Sequence, residues 1–158
     1  MFRRSWPAIV AGAIASLLAI GSVTADPGTK ILDASLASIP TANQVILGVP
    51  GGGLPWRIER GDARLFADGR LEVSIQGLVF AAGPNEGRNT VPTGRAILAC
   101  TGADSTVTPI LTDTVPFSAD GDAHVETTVD LPSTCLAPVV FFAGQTGAGP
   151  RWFAVTGG

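Results

Sequence analysis

Proton transfer and nucleophile activation at neutral pH would have to run through His124, the single histidine in this chain of 158 residues. His124 alternates with Glu126 and Asp130 in a run that reads as one strand face. The three side chains could hold a metal only if they met one ion. Along a strand they spread over about 20 Å at roughly 3.3 Å per residue, which makes them a solvated face. A Ser-His-acid set needs the same His124 beside a serine and held by a buried acid. Ser74, Ser105 and Ser118 lack a G-x-S-x-G context, which argues against that chemistry.

Carboxylates are the remaining catalytic stock. Among 13 acids, Glu59, Asp62, Glu72, Glu86 and Glu126 are the candidates for a two-carboxylate hydrolase. Such an enzyme places two acids about 5–9 Å apart in a cleft and raises the pKa of at least one. Sugar clefts are usually lined with aromatics, which make up only 6% of this chain. Trp56 and Trp152 read as core. Gly51-Gly52-Gly53 is followed by neither Lys-Ser/Thr nor a helix, so it reads as a turn into Leu54-Pro55-Trp56 and not as a phosphate loop. Asp120-Gly121-Asp122 begins like a calcium loop but lacks the later ligands. No cofactor and no metal site is expected.

Cys100 and Cys135 are the two cysteines. A redox or metal pair would need C-x-x-C proximity or further ligands. In an oxidising compartment a lone pair forms a disulfide, worth roughly 3–4 kcal/mol for a loop of this size in the chain-entropy model. Both sit in strand-like runs, Arg95–Thr101 and Cys135–Ala143, so a bridge between strands is expected.

The amino terminus agrees with that compartment. Arg3 and Arg4 precede the uncharged run Pro7–Val23, and Val23-Thr24-Ala25 offers residues a signal peptidase reads. Met1–Ala25 therefore reads as an export signal cut between Ala25 and Asp26, leaving no membrane span in the mature chain. The alternative is an uncleaved anchor, because 17 residues is the lower edge of a spanning helix. Secretion is the expectation.

Charged residues are 15% of the chain, and there are 20 Gly and 12 Pro, which excludes a coiled coil or helical bundle. An apolar fraction of 46% argues against disorder. Without Arg3 and Arg4, the ten Lys and Arg fall to eight against 13 acids, a net charge of −5. That balance argues against nucleic acid or an anionic membrane as partner.

The elements that must position these residues read as strands. Asp68-Gly69 separates Asp62–Ala67 from Arg70–Ile75, and Leu71, Val73 and Ile75 alternate with polar residues. A D-G pair between alternating runs predicts a hairpin. A second hairpin is expected at Asp120-Gly121, with Ala123, Val125, Thr127, Val129 and Leu131 facing inward. Cys135–Ala143 should be buried on both faces, and Arg151–Thr156 should close the chain. Residues 26–43 stand open between a tail or linker and a docked first segment. Residues 44–158 read as one all-β domain, an immunoglobulin-like β-sandwich of seven or eight short antiparallel strands.

Gly53-Leu54-Pro55-Trp56, Asp68–Val73, Arg95–Cys100 and Phe153–Gly158 resemble the pattern of a group of uncharacterised secreted bacterial β-rich proteins, over about residues 43–158. The resemblance implies a secreted β-domain and no particular activity. The function expected is a non-enzymatic extracellular domain that binds a partner outside the cell or in the cell envelope, or has a structural role there. The small carboxylate hydrolase is the alternative. Loops at sheet ends usually carry recognition on such scaffolds. The longest polar loop, Ala82–Gly94, offers Asn85, Glu86, Arg88 and Asn89 as the contact surface.

Overall fold

The computed structural model describes residues 26–157, so Met1–Ala25, read above as an export signal, and the Ala25 side of the cleavage expected there lie outside it. Thirteen strands follow in order: β1 (Lys30–Ser38), β2 (Val45–Ile46), β3 (Val49–Pro50), β4 (Trp56–Arg57), β5 (Arg60–Phe66), β6 (Arg70–Gln76) and β7 (Val79–Phe80). Then come β8 (Thr93–Thr101), β9 (Val107–Leu111), β10 (Val115–Pro116), β11 (Ala123–Thr128), β12 (Leu136–Thr146) and β13 (Gly149–Thr156). No helix among the described residues is long and apolar enough to cross a membrane.

Nine strands form one antiparallel sheet in the order β10-β8-β12-β13-β1-β5-β6-β11, with β9 beside β8. The pivot is β1. Its first half, from Lys30 to Ser35, pairs with β5, and its last residues, Leu36–Ser38, pair with β13. The sheet therefore curls into two layers, one built on β5, β6 and β11 and the other on β8, β12 and β13. The expected β-sandwich is the architecture observed, its two layers joined through β1. Residues 30–38 are thus the docked first segment, and the β-domain begins ahead of residue 44. Two further two-stranded pairs, β2–β3 and β4–β7, lie against this frame.

Local sequence explains the ladders. At Asp68-Gly69 the Gly69 N–H donates to Phe66 O at 3.0 Å, φ of Gly69 is +86°, and β5 and β6 pair from Leu65↔Leu71 to Arg60↔Gln76. The inward set Ala63, Leu65, Leu71, Val73, Ile75 and Val125 is buried, while Arg64, Ser74, His124 and Glu126 face water. Phe66 belongs to the outer face, yet it is only 9% exposed because the Arg70 guanidinium lies 3.7 Å from its ring centroid.

The second D-G site makes the turn without the hairpin. Gly121 has φ of +89° and donates to Ser118 O, but β10 pairs with β8 and β11 pairs with β6. The turn is a corner between the two layers. Gly121 sits there so tightly that a Cβ would fall 2.4 Å from Leu78 N. Prolines explain the break before it. Pro109 and Pro116 lie in β9 and β10, where a missing N–H is tolerated on an edge. Between those strands Thr112 caps the gap, its Oγ accepting from Ala96 N at 3.0 Å.

The run expected to be buried from Cys135 to Ala143 is buried only from Val140, through Gly144, where both faces of β12 are covered; Leu136 and Ala137, ahead of that stretch, are exposed. Phe142 packs edge-on against Phe117 in the interior. On the opposite face Phe141 packs against Trp152, whose Nε1–H donates to Val49 O of β3 at 3.1 Å. At the end of this layer Cys100 and Cys135 form a disulfide between β8 and the residue preceding β12. It closes a separation of 35 residues.

Candidate functional site

An aromatic concavity is built by segments far apart in sequence. Trp56 on β4 stacks on Phe153 of β13 at 4.0 Å between centroids and meets Phe80 of β7 at 4.2 Å. Around this stack a cleft of about 410 Å³ is walled by Leu54, Val91 and the backbone of Gly51–Gly53. Asn43, Thr146 and Arg151 supply its polar groups. That size falls within the ordinary range for small-molecule sites, and a mostly apolar wall with a few polar groups is their usual composition.

The glycines make the cleft rather than merely turn the chain. Gly51 and Gly52 are buried, with Gly52 N–H donating to Trp152 O at 3.0 Å. A Cβ on Gly52 would lie 3.1 Å from the Phe153 ring and 3.2 Å from Trp56 Nε1. Gly144, opposite Arg151 in register, plays the same part, since a Cβ there would strike the Phe153 ring at 2.3 Å. Gly53 differs. It is exposed, and a Cβ there would meet nothing closer than Asn43 Oδ1 at 3.9 Å.

The electrostatics of the cleft are one-sided. Arg151 is among its lining residues and no carboxylate is. Elsewhere Lys30 pairs with Asp33, Arg60 with Asp62, and Arg64 and Arg70 with Glu72, while Arg57, Arg88 and Arg95 have no carboxylate partner among the described residues and do not line the cleft. Arg151 has no such partner among the described residues. Trp56 is 3% exposed, and its Nε1–H meets no acceptor among the described residues, unlike that of Trp152. Thr146 is already engaged, its Oγ donating to Gly149 O at 2.7 Å.

The contact loop predicted from sequence, Ala82–Gly94, reaches this cleft through Val91, next to Phe80 of β7. Asn85, Glu86 and Arg88 are exposed on it, and hydrogen bonds from Gly87 N to Phe80 O and from Phe80 N to Arg88 O close its base. Asn89 is different: it is 5% exposed and not available for contact. Its Nδ2 donates to Val91 O and Ser118 O, both at 2.8 Å, and its Oδ1 accepts from Val91 N at 2.8 Å. Asn89 is the staple that ties the loop to the Ser118 corner.

His124 lies elsewhere, on the open face of β11. Its Nδ1 is 3.2 Å from Ser74 Oγ, and its Nε2 is 3.7 Å from Glu126. This brings a serine, a histidine and an acid together, but both the histidine and the glutamate side chains are more than half exposed. The arrangement lacks the buried acid that fixes a catalytic imidazole. Among the carboxylates named for hydrolysis, Glu72 and Glu126 stand opposite in register. Glu72 already bridges Arg64 and Arg70, and neither glutamate lines the aromatic cleft. Asp62 is paired with Arg60, while Glu59 and Glu86 are exposed. Among the described residues no group of three His, Cys, Asp or Glu side chains is placed to hold a metal.

Sequence reasoning read Trp56 as core, and it is, but it missed that the same residue walls a cleft. Asn43, Phe80, Thr146, Arg151 and Phe153 carried no local signal. The Gly51–Gly53 run was the one available pointer, because consecutive glycines also mark close approach of backbone to rings. Compared with known protein families, curated proteins and solved structures, the chain matches none.

Proposed function

We propose that the chain is an exported, non-enzymatic β-domain that binds a ligand outside the cytoplasm, in solution or at the cell envelope, through the Trp56 cleft. The observation that carries this reading is the pairing of a formed, largely apolar cavity with two uncommitted donors, Arg151 and Trp56 Nε1. Trp56 Nε1–H has no protein acceptor among the described residues, so a ligand acceptor in the cleft can take the place of water on it. The Cys100–Cys135 bridge supports an oxidising compartment, as does the export signal read at Met1–Ala25. The resemblance to secreted bacterial β-proteins points the same way.

Gly53 provides a clean test. Gly53→Leu places an isobutyl group in the cleft without entering the core. ¹⁵N-labelled protein, expressed from the full chain and recovered after export, is screened against a library of small fragments by NMR. Hits that shift Trp56, Gly53 and Arg151 resonances, and that Gly53→Leu abolishes at unchanged thermal stability, are expected. Hits scattered over the surface and indifferent to Gly53→Leu would remove the cleft from consideration.

A further inference from the structure

Resting on that reading, we propose that the cleft selects a small organic monocarboxylate with an apolar body. The occupant must match what the walls leave unsatisfied, and each wall argues separately.

The donors come first. Arg151 lines the cleft with no carboxylate partner, Trp56 presents an N–H without an acceptor, and no acidic side chain shares the lining. This lies within a domain whose charges, from Asp26 onward, sum to −5. A planar guanidinium and an indole N–H are both donors only, so they favour a ligand group that only accepts. A carboxylate is such a group, and its hydrogen bonds to an arginine are charge-assisted.

The apolar walls come second. Trp56 at 3% exposure and Phe153 at 2% have no free ring face to offer a sugar or another planar ligand. The surfaces left open are Leu54, 40% exposed, and the partly buried Phe80 and Val91. These accept an aliphatic chain or the side of a phenyl ring. Size agrees, since about 410 Å³ holds a small molecule and not a folded partner. Gly53 leaves the approach beside them open, and the ordered Phe80–Arg88 loop base holds the wall in place before a ligand arrives.

The test compares 4-phenylbutyrate with its neutral amide, 4-phenylbutanamide, on protein recovered after export. Binding is read by ¹⁵N chemical shifts and by the fluorescence of Trp56 and Trp152. The acid is expected to bind at least about tenfold more tightly than the amide, in the range of a charge-assisted hydrogen bond. Arg151→Gln should erase that preference, bringing the acid-to-amide ratio close to one. Trp56→Phe keeps a ring in the stack, removes the N–H and should weaken the acid by a smaller factor. The acid-to-amide ratio is measured on unaltered protein, so it holds even if a variant folds poorly. Equal binding of acid and amide at the cleft would overturn the carboxylate assignment and leave the binding reading intact. No cleft shift from either probe at 10 mM, with fragments binding there in the wider screen, would likewise overturn the assignment. No cleft shift from any compound would end both.

Discussion

Replacing Asn89 by Ala tests whether a single buried amide holds the loop that flanks the cleft. The Asn89 side chain makes two hydrogen bonds of 2.8 Å to the Val91 and Ser118 carbonyls and accepts a third, also 2.8 Å, from Val91 N–H. A typical hydrogen bond nets about 1 kcal/mol, but a partner stranded away from water costs about 1–3 kcal/mol. Asn89→Ala strands the Val91 N–H and at least one carbonyl in a partly buried setting, so about 2–4 kcal/mol should be lost. In a domain of this size that lowers Tm by roughly 10 °C. Urea unfolding with the disulfide intact should show a reduced midpoint at unchanged slope, which identifies a loss of stability and not a change in the unfolded state. Asn89→Asp is the sharper control. It keeps the acceptor for Val91 N–H but turns a carboxylate oxygen toward the two carbonyls, so it should be no more stable than Ala at pH 7. Its stability should partly return in acid, where the protonated carboxyl can donate again. Alanine at the exposed Asn85, Glu86 and Arg88 should each change stability by less than about 0.5 kcal/mol. An Asn89→Ala protein within 0.5 kcal/mol of the parent would refute the staple, and so would an Asn89→Asp protein of full stability at neutral pH.

Replacing both Cys100 and Cys135 by Ala should cost about 4 kcal/mol from the loop of 35 residues alone, measured by the same unfolding curves, and a cost below 1 kcal/mol would contradict it. Gly121→Ala forces a Cβ to 2.4 Å from Leu78 N at a φ of +89°, so a loss of more than about 3 kcal/mol is expected in thermal unfolding, whereas an unchanged Tm would mean the corner is not packed as described. Trp152→Phe removes the donor to Val49 O and should destabilise by about 2–3 kcal/mol, with the largest NMR changes in β2–β3; changes confined to β12 would be inconsistent with that contact. Acid stability has a defined sign. The Lys30 ammonium, hydrogen-bonded to Asp33, and the Thr106 hydroxyl and N–H on Asp104 hold these carboxyls below the ordinary 3.8. Their contribution is therefore complete above pH 3.8 and fades as pH falls through the lower folded values, so Asp33→Asn with Asp104→Asn should flatten the acid limb of Tm against pH. An acid limb identical to that of the parent would rule this out.

The chain's local chemistry was legible because turns and alternation act over a few residues. Asp68-Gly69 needed only the positive φ of Gly69, and the alternation of Leu71, Val73 and Ile75 needed only one dry face and one wet one. The disulfide was legible for a different reason, since two cysteines in an oxidising compartment leave one pairing. Asp120-Gly121 shows where that reach ends. Its turn formed as its residues dictate, but which strands its arms joined was decided by β8 and β6, competitors more than 20 and 40 residues away. The segment 30–38 was ambiguous alone because its half-exposed pattern depends on having β5 on one side and β13 on the other. The cleft is the extreme case. Asn43, Trp56, Phe80 and Arg151 meet only after the sheet has curled, and nothing in the neighbourhood of Arg151 marks it as a cation without a carboxylate. Sequence by itself determined strands, turns, the cysteine bridge and the charge balance, because those follow from interactions between neighbours or from composition. Tertiary structure alone decided the site, because a cavity is what long-range packing leaves unfilled.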